Sequence, residues 1–344
     1  MSGTRMDSNP HLPDQSQPDE SQPESAASAL SRSFRESAFS PLVQIFVGPE
    51  GLYPAARWLI YLVMGFLVVG LLNSLLAALH PARLSLWWTM VAEARMLLAA
   101  VLPGLVMARL EGKPFGDFGL PLKRAFARDF WVGALWGIAA LTALLLVLAA
   151  AGAFSFGSLS LHGARIFKFA VYYALFFLIA SFFEEFVTRG YSLWVLAQSM
   201  HFWPAAALLS VLFGLMHLAN PGEAKPGLAA VVLIGFFFCL TLRRTGALWW
   251  AVGFHVAWDW GESFLYSVPD SGNLAPGHLL NSTLHGPAWL TGGSVGPEGS
   301  YLMFPLLAAV WVLFARAYPE VRYAVRPRSA PGIPSPHSDV LLDG

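Results

Sequence analysis

The chain has 344 residues, of which 56% are hydrophobic and only 12% charged, whereas a soluble domain carries about a quarter charged residues. That balance excludes a water-soluble globular fold. Lys plus Arg and Asp plus Glu both number 21, so net charge is zero, and with no basic block the composition offers nucleic acid no surface to bind.

Lipid supplies no hydrogen-bond partners, so a spanning segment is a helix or a strand of a closed barrel. The long apolar runs here have no period-2 alternation, which excludes the barrel and predicts an all-α, polytopic transmembrane bundle. Residues 1–40 are rich in Ser, Pro, Gln, Asp and Glu. They cannot bury enough apolar surface to offset ordering entropy and read as a disordered polar tail. No short apolar core with a small-residue cleavage site follows a basic start, so the first span is expected to remain in the mature protein.

Hydropathy then predicts a transmembrane helical domain over 41–317, with eight spans at about 55–79, 86–108, 129–153, 165–183, 191–217, 227–242, 246–267 and 301–317. The fifth is expected to be interrupted or tilted, because Pro204 in His201-Phe202-Trp203-Pro204 can divide it. Residues 318–344 form a second polar tail, rich in Pro and Ser. Arg32 and Arg35, the basic group from Arg109 to Arg128, Arg243 with Arg244, and Arg316, Arg322, Arg326 and Arg328 all fall on one side of an eight-span topology. The 268–300 connection has no Lys or Arg, so both termini are expected in the cytoplasm. Cys239, the only cysteine, lies in an apolar run and reads as a small core residue.

Ionisable groups inside apolar helices are costly and are functional candidates by default. At the end of the fourth span stands Phe182-Phe183-Glu184-Glu185-Phe186-Val187-Thr188-Arg189. Glu185 and Arg189 are i,i+4 neighbours and can form a structural ion pair. Glu184 is about 100° around the helix and projects elsewhere, toward the bundle interior, as a candidate general base. The plainer alternative makes both glutamates interfacial residues at a helix end. His217 follows Phe213 by one turn and precedes Asn220-Pro221-Gly222; it is either a cap or a site residue. His255 and Asp259 share one face of the seventh span, as a site or as a buried pair pinning two helices. Glu93 and Arg95 lie on different faces of the second span and receive no chemistry.

Glu184-Glu185-x-x-x-Arg189, Phe213-x-x-x-His217 and His255-x-x-x-Asp259, in that order on separate apolar helices, resemble the three motifs of the CPBP family. That family comprises CAAX prenyl endopeptidases, bacteriocin-processing enzymes and Abi proteins. Phe115-Gly116-Asp117-Phe118-Gly119-Leu120 and Arg243-Arg244-Thr245-Gly246-Ala247-Leu248-Trp249-Trp250 also resemble family segments, and the likeness extends over about 90–265. The resemblance implies an intramembrane endopeptidase acting on a membrane-associated peptide or protein, with membrane lipid as its surroundings. Glu184 and His217 would activate a water, while His255 and the residue at 259 would bind the oxyanion. The family has been described both as glutamate-dependent and as metalloproteases, so a divalent metal such as Zn2+ on Glu184, His217, His255 and Asp259 is the alternative. Asn can donate to an oxyanion but ionised Asp only accepts. Asp259 is therefore protonated, a metal ligand, or, as favoured here, the acceptor that orients His255. A non-catalytic immunity or scaffolding protein of the same fold, and a proton-coupled transporter, are the competing classes.

Overall fold

The computed structural model describes residues 46–48, 51–78, 86–274 and 276–325. The polar tail expected over 1–40, and the expected C-terminal tail from 326 onward, lie outside the described residues. The chain divides into units 1–51 and 52–344. In the first, Val47–Gly48 is extended, and all that follows concerns the second.

That unit is predominantly helical. In chain order it comprises α1 Pro54–Ala78, α2 Leu86–Leu110, α3 Arg128–Ala150, α4 Ala164–Arg189, α5 Tyr191–Met200, α6 Phe202–Met216, α7 Lys225–Thr245, α8 Trp249–Trp260, the single turn α9 Ala288–Thr291, and α10 Met303–Ala317. Six helical stretches among the described residues are long and apolar enough to cross a membrane: α1, α2, α3, α4 with α5, α6 and α7. The other two expected spans are shorter. α10 has 15 residues, and α8 has 12 before it widens into the π-helical turn Gly261–Tyr266. With that turn α8 reaches crossing length.

Two breaks set the shape around the site. Ala164–Met200 is a 37-residue apolar stretch, about 55 Å as one helix and too long for a hydrocarbon layer of about 30 Å. Gly190 leaves helical geometry there (φ −80°, ψ −115°) and separates α4 from α5. The fifth expected span divides at His201, as Phe202-Trp203-Pro204 suggests. Pro204 falls in the first turn of α6, where a missing N–H costs no intrahelical bond.

α8, the helix that carries His255 and Asp259, is held by unusually close packing on α3. A Cβ at Gly133 or Gly137 would overlap the backbone carbonyl of Trp250 or Phe254, and one at Gly253 would overlap that of Phe130. Gly133-x-x-x-Gly137 is thus a small-residue interface of the kind that lets two membrane helices touch backbone to backbone. Around it, buried Trp250 stacks on Phe254 with centroids 5.6 Å apart and meets Phe314 of α10 at 4.8 Å. On its other side α8 is tied to α4, where Trp260 Nε1 donates to the Ala170 carbonyl at 3.0 Å.

The 267–300 connection folds back against this end of the bundle. Phe154–Ser155 and Thr283–Leu284 pair antiparallel. Tyr173 of α4 donates to the Pro276 carbonyl at 2.9 Å, and Gly272 N–H donates to Val295 O at 2.9 Å.

Candidate active site

Helix periodicity places Glu185 and Arg189 on one face of α4, and packing buries both: the side chains are 0% and 1% exposed. Arg189 Nη1 donates to Glu185 Oε1 at 3.0 Å, and the guanidinium lies 4.2 Å from the Phe213 ring centroid. The same Oε1 receives His255 Nδ1 at 3.1 Å. Glu185 therefore joins the buried arginine of its own helix to a histidine 70 residues away. An ion pair out of water holds only with good geometry and further hydrogen bonds, and His255 supplies one of them.

With Nδ1 engaged, His255 presents Nε2 toward Glu184 Oε2 at 3.8 Å and Asp259 Oδ2 at 3.5 Å. Asp259, expected as an acceptor that orients His255, stands at Nε2, and the contact at Nδ1 is made by Glu185, because α4 passes on that side of α8. Glu184, about 100° around α4 from Glu185, retains a side-chain exposure of 28% and faces open space. His217 forms the first residue of a 3-10 turn closing α6. Its Nδ1 lies 2.8 Å from the Phe213 carbonyl, so Nδ1 is the donor and Nε2 is left free to accept.

Glu184, His217, His255 and Asp259 all line one cavity of about 710 Å³, bordered by α2, α3, α4, α6, α7, α8, α10 and the 267–300 connection. A cavity of that size accommodates a peptide segment or a drug-sized ligand. Its apolar wall includes Tyr172, Phe176 and Ala180 on α4 and Val231 and Ile234 on α7.

Several polar lining residues escape sequence reading. Glu93, assigned no chemistry above, reaches the cavity from α2, and Asn220 follows His217 there. Arg95 turns away and bonds Asn73 on α1. Asp270 and Glu298, from a connection that reads as a loop, also line the cavity. Ser263 Oγ donates to Asp270 at 3.1 Å, and Ser271 donates to Glu298 through N–H at 3.1 Å and Oγ at 2.9 Å. Burial, with the charges of Asp259 and Glu298 beside it, holds the Asp270 carboxyl well above its ordinary range. The one signal for these residues was the absence of Lys and Arg from 268–300, which leaves its carboxylates without local partners.

The fit of a metal can be judged from ligand distances. Oxygen or nitrogen ligands of one ion stand about 2.0–2.6 Å from it, and hence at most about 5 Å from each other. No three of Glu184, His217, His255 and Asp259 bring their ligand atoms within 4.8 Å of one another. As arranged here they do not fit the expected Zn2+ ligand set. Among the described residues, the set that meets the distance is Asp259, Asp270 and Glu298.

Comparison with curated proteins and with solved structures gives no match. Residues 166–261 match the family described as type II CAAX prenyl endopeptidase, Rce1-like. That stretch runs from the start of α4 to the end of α8 and contains Glu184, Glu185, Arg189, His217, His255 and Asp259. Membrane-length helices and a matching family together make the chain an integral, multi-pass membrane protein. Residues 166–261 are thus similar to the Rce1-like type II CAAX prenyl endopeptidases, consistent with the CAAX-protease family.

Proposed function

We propose that this chain is an intramembrane endopeptidase in which Glu184 is the general base. Glu184 takes a proton from a water that His217 Nε2 orients, and the hydroxide attacks the carbonyl carbon of the scissile peptide bond. His255, doubly protonated, donates Nδ1–H to Glu185 and turns an Nε2–H toward the developing oxyanion. Donors preorganised in a water-poor site are worth several kcal/mol there. As the C–N bond breaks, protonated Glu184 passes its proton to the leaving amine, which balances the hydrolysis. Asp259 stands beside His255 Nε2 as an acceptor; ionised, it has no proton to give an oxyanion. No step passes through a metal.

The observation that supports this reading is the shared cavity. Glu184, His217 and His255 come from three helices yet line one chamber, with the histidine fixed by a buried ion pair. The substrate is a membrane-associated peptide or protein segment entering against the apolar wall of α4 and α7.

The test is cleavage of a membrane-tethered peptide by the purified protein in liposomes, followed by mass spectrometry of the products. Loss of turnover in folded Glu184→Gln and His217→Ala variants is the expected result. Wild-type turnover in either overturns the proposal, and a cellular phenotype preserved by inactive variants points to the scaffolding class instead.

A further inference from the structure

Asp259 meets His255 Nε2 at 3.5 Å, but no Lys or Arg lines the cavity with its carboxylates. Those carboxylates are Glu93, Glu184, Asp259, Asp270 and Glu298. Asp259 on α8 and Asp270 and Glu298 on the following connection bring one oxygen each within 4.8 Å of one another. Like charges gathered this closely in a buried place repel unless protons or a cation intervene.

A second observation stands behind the cluster. Glu262, in the π-helical turn after α8, is 0% exposed, and neither carboxylate oxygen closes a hydrogen bond. The charges of Glu298, Asp270 and Asp259 all act on it. A buried carboxylate without partners is costly. π-Helical turns inside α-helices occur frequently at functional sites, and this one brings Ser263 into hydrogen-bond contact with Asp270, with Glu262 next to it in the chain.

We propose that Asp259, Asp270 and Glu298, backed by Glu262, bind one hard divalent cation of the Ca2+, Mg2+ or Mn2+ class. An all-oxygen, carboxylate-rich set suits such ions and lacks the nitrogen or sulfur ligands that favour Zn2+. Ser263 and Ser271, which donate to Asp270 and Glu298, orient two of the ligands in the way outer-shell donors do. The ion bridges α8 to the 267–300 connection and fixes that connection over the chamber holding His255. This site is separate from the Glu184–His217 pair and holds whether or not Glu184 is a base.

The full-length protein, purified in detergent and stripped with chelator, is titrated with Mn2+ and bound ion read by electron paramagnetic resonance, with Ca2+ and Mg2+ as competitors. One saturable Mn2+ per chain is expected. Asp270→Asn and Glu298→Gln should each weaken binding at least tenfold, Glu298→Asp should restore part of it, and Glu184→Gln should leave it unchanged. Size-exclusion profiles establish that each variant is folded, and hydrogen exchange over 267–300 should slow when the ion is added to wild type. The proposal is overturned by absence of saturable binding, by wild-type binding in both Asp270→Asn and Glu298→Gln, or by binding lost in His217→Ala and retained in Asp270→Asn. Failure of peptide cleavage bears only on the hydrolysis reading, because ion binding is measured without substrate.

Discussion

His255 Nδ1 meets Glu185 Oε1 at 3.1 Å, and through that single oxygen the histidine is coupled to Arg189, which bonds the same atom at 3.0 Å. The helix-end ion pair is therefore also the support of the histidine proposed to bind the oxyanion. Stability and the proposed catalysis meet at one carboxylate.

Removing that carboxylate leaves Arg189 charged and buried. Glu185→Ala is expected to cost about 3–5 kcal/mol, as when one partner of a buried pair is deleted, and to lower the melting temperature in detergent. Glu185→Met combined with Arg189→Met removes both charges and should recover most of the stability. It should not recover turnover, because His255 has still lost its partner. Recovery of both in the double variant would show that Glu185 serves stability alone.

Glu184 is expected to separate the two properties in the opposite sense. Its side chain is 28% exposed to the cavity, so Glu184→Gln should alter stability by less than about 1 kcal/mol, as for sites away from buried networks. Loss of a general base lowers turnover by about 10²–10⁴-fold. Thermal denaturation beside single-turnover cleavage measures both quantities on the same preparation.

The backbone contact between α3 and α8 leaves no room for side chains. Gly137→Leu is expected to force the helices apart at the Phe254 carbonyl, at a cost of about 1–3 kcal/mol or more, as in overpacked cores. His255 follows Phe254 directly, so activity should fall further than stability accounts for. The control is Gly152→Ala: Gly152 follows α3, and a Cβ there meets nothing within 4 Å. Its positive φ of 72° makes the change mildly strained, but activity per folded molecule should hold.

Asp270 makes the stability of ion-free protein depend on pH. Its carboxyl is held well above the ordinary value of 3.8, first by burial and then by the charges of Asp259 and Glu298. Below the unfolded value the group is protonated whether the chain is folded or not. As pH rises past it, the unfolded chain releases its proton first, so stability declines until the folded pKa is passed and then levels off. Asp270→Asn should flatten this slope in chelator-treated protein, and Ca2+ or Mn2+ should offset the decline at high pH in wild type only. Denaturation midpoints collected across pH in each background are the measurement.

Much of this protein was legible in local periodicity. Apolar run length predicts the membrane helices, and Phe202-Trp203-Pro204 marks the break that α5 and α6 show at His201. A 100° step per residue separates Glu184 from Glu185, and i,i+4 spacing pairs Glu185 with Arg189 and stacks His255 on Asp259. Each of these follows from the geometry of one helix, which the order of residues specifies directly. Packing alone decided that Glu185, not Asp259, meets His255 Nδ1, because that contact depends on how closely α4 approaches α8 and on how α8 seats against Gly133 and Gly137 of α3. Packing likewise carried Glu93 to the cavity from α2 and brought Asp270 and Glu298 to Asp259 from a connection that reads as plain loop. Contacts between segments far apart in the chain leave no period in the sequence, so the partners of its buried charges were settled only when the helices closed around them.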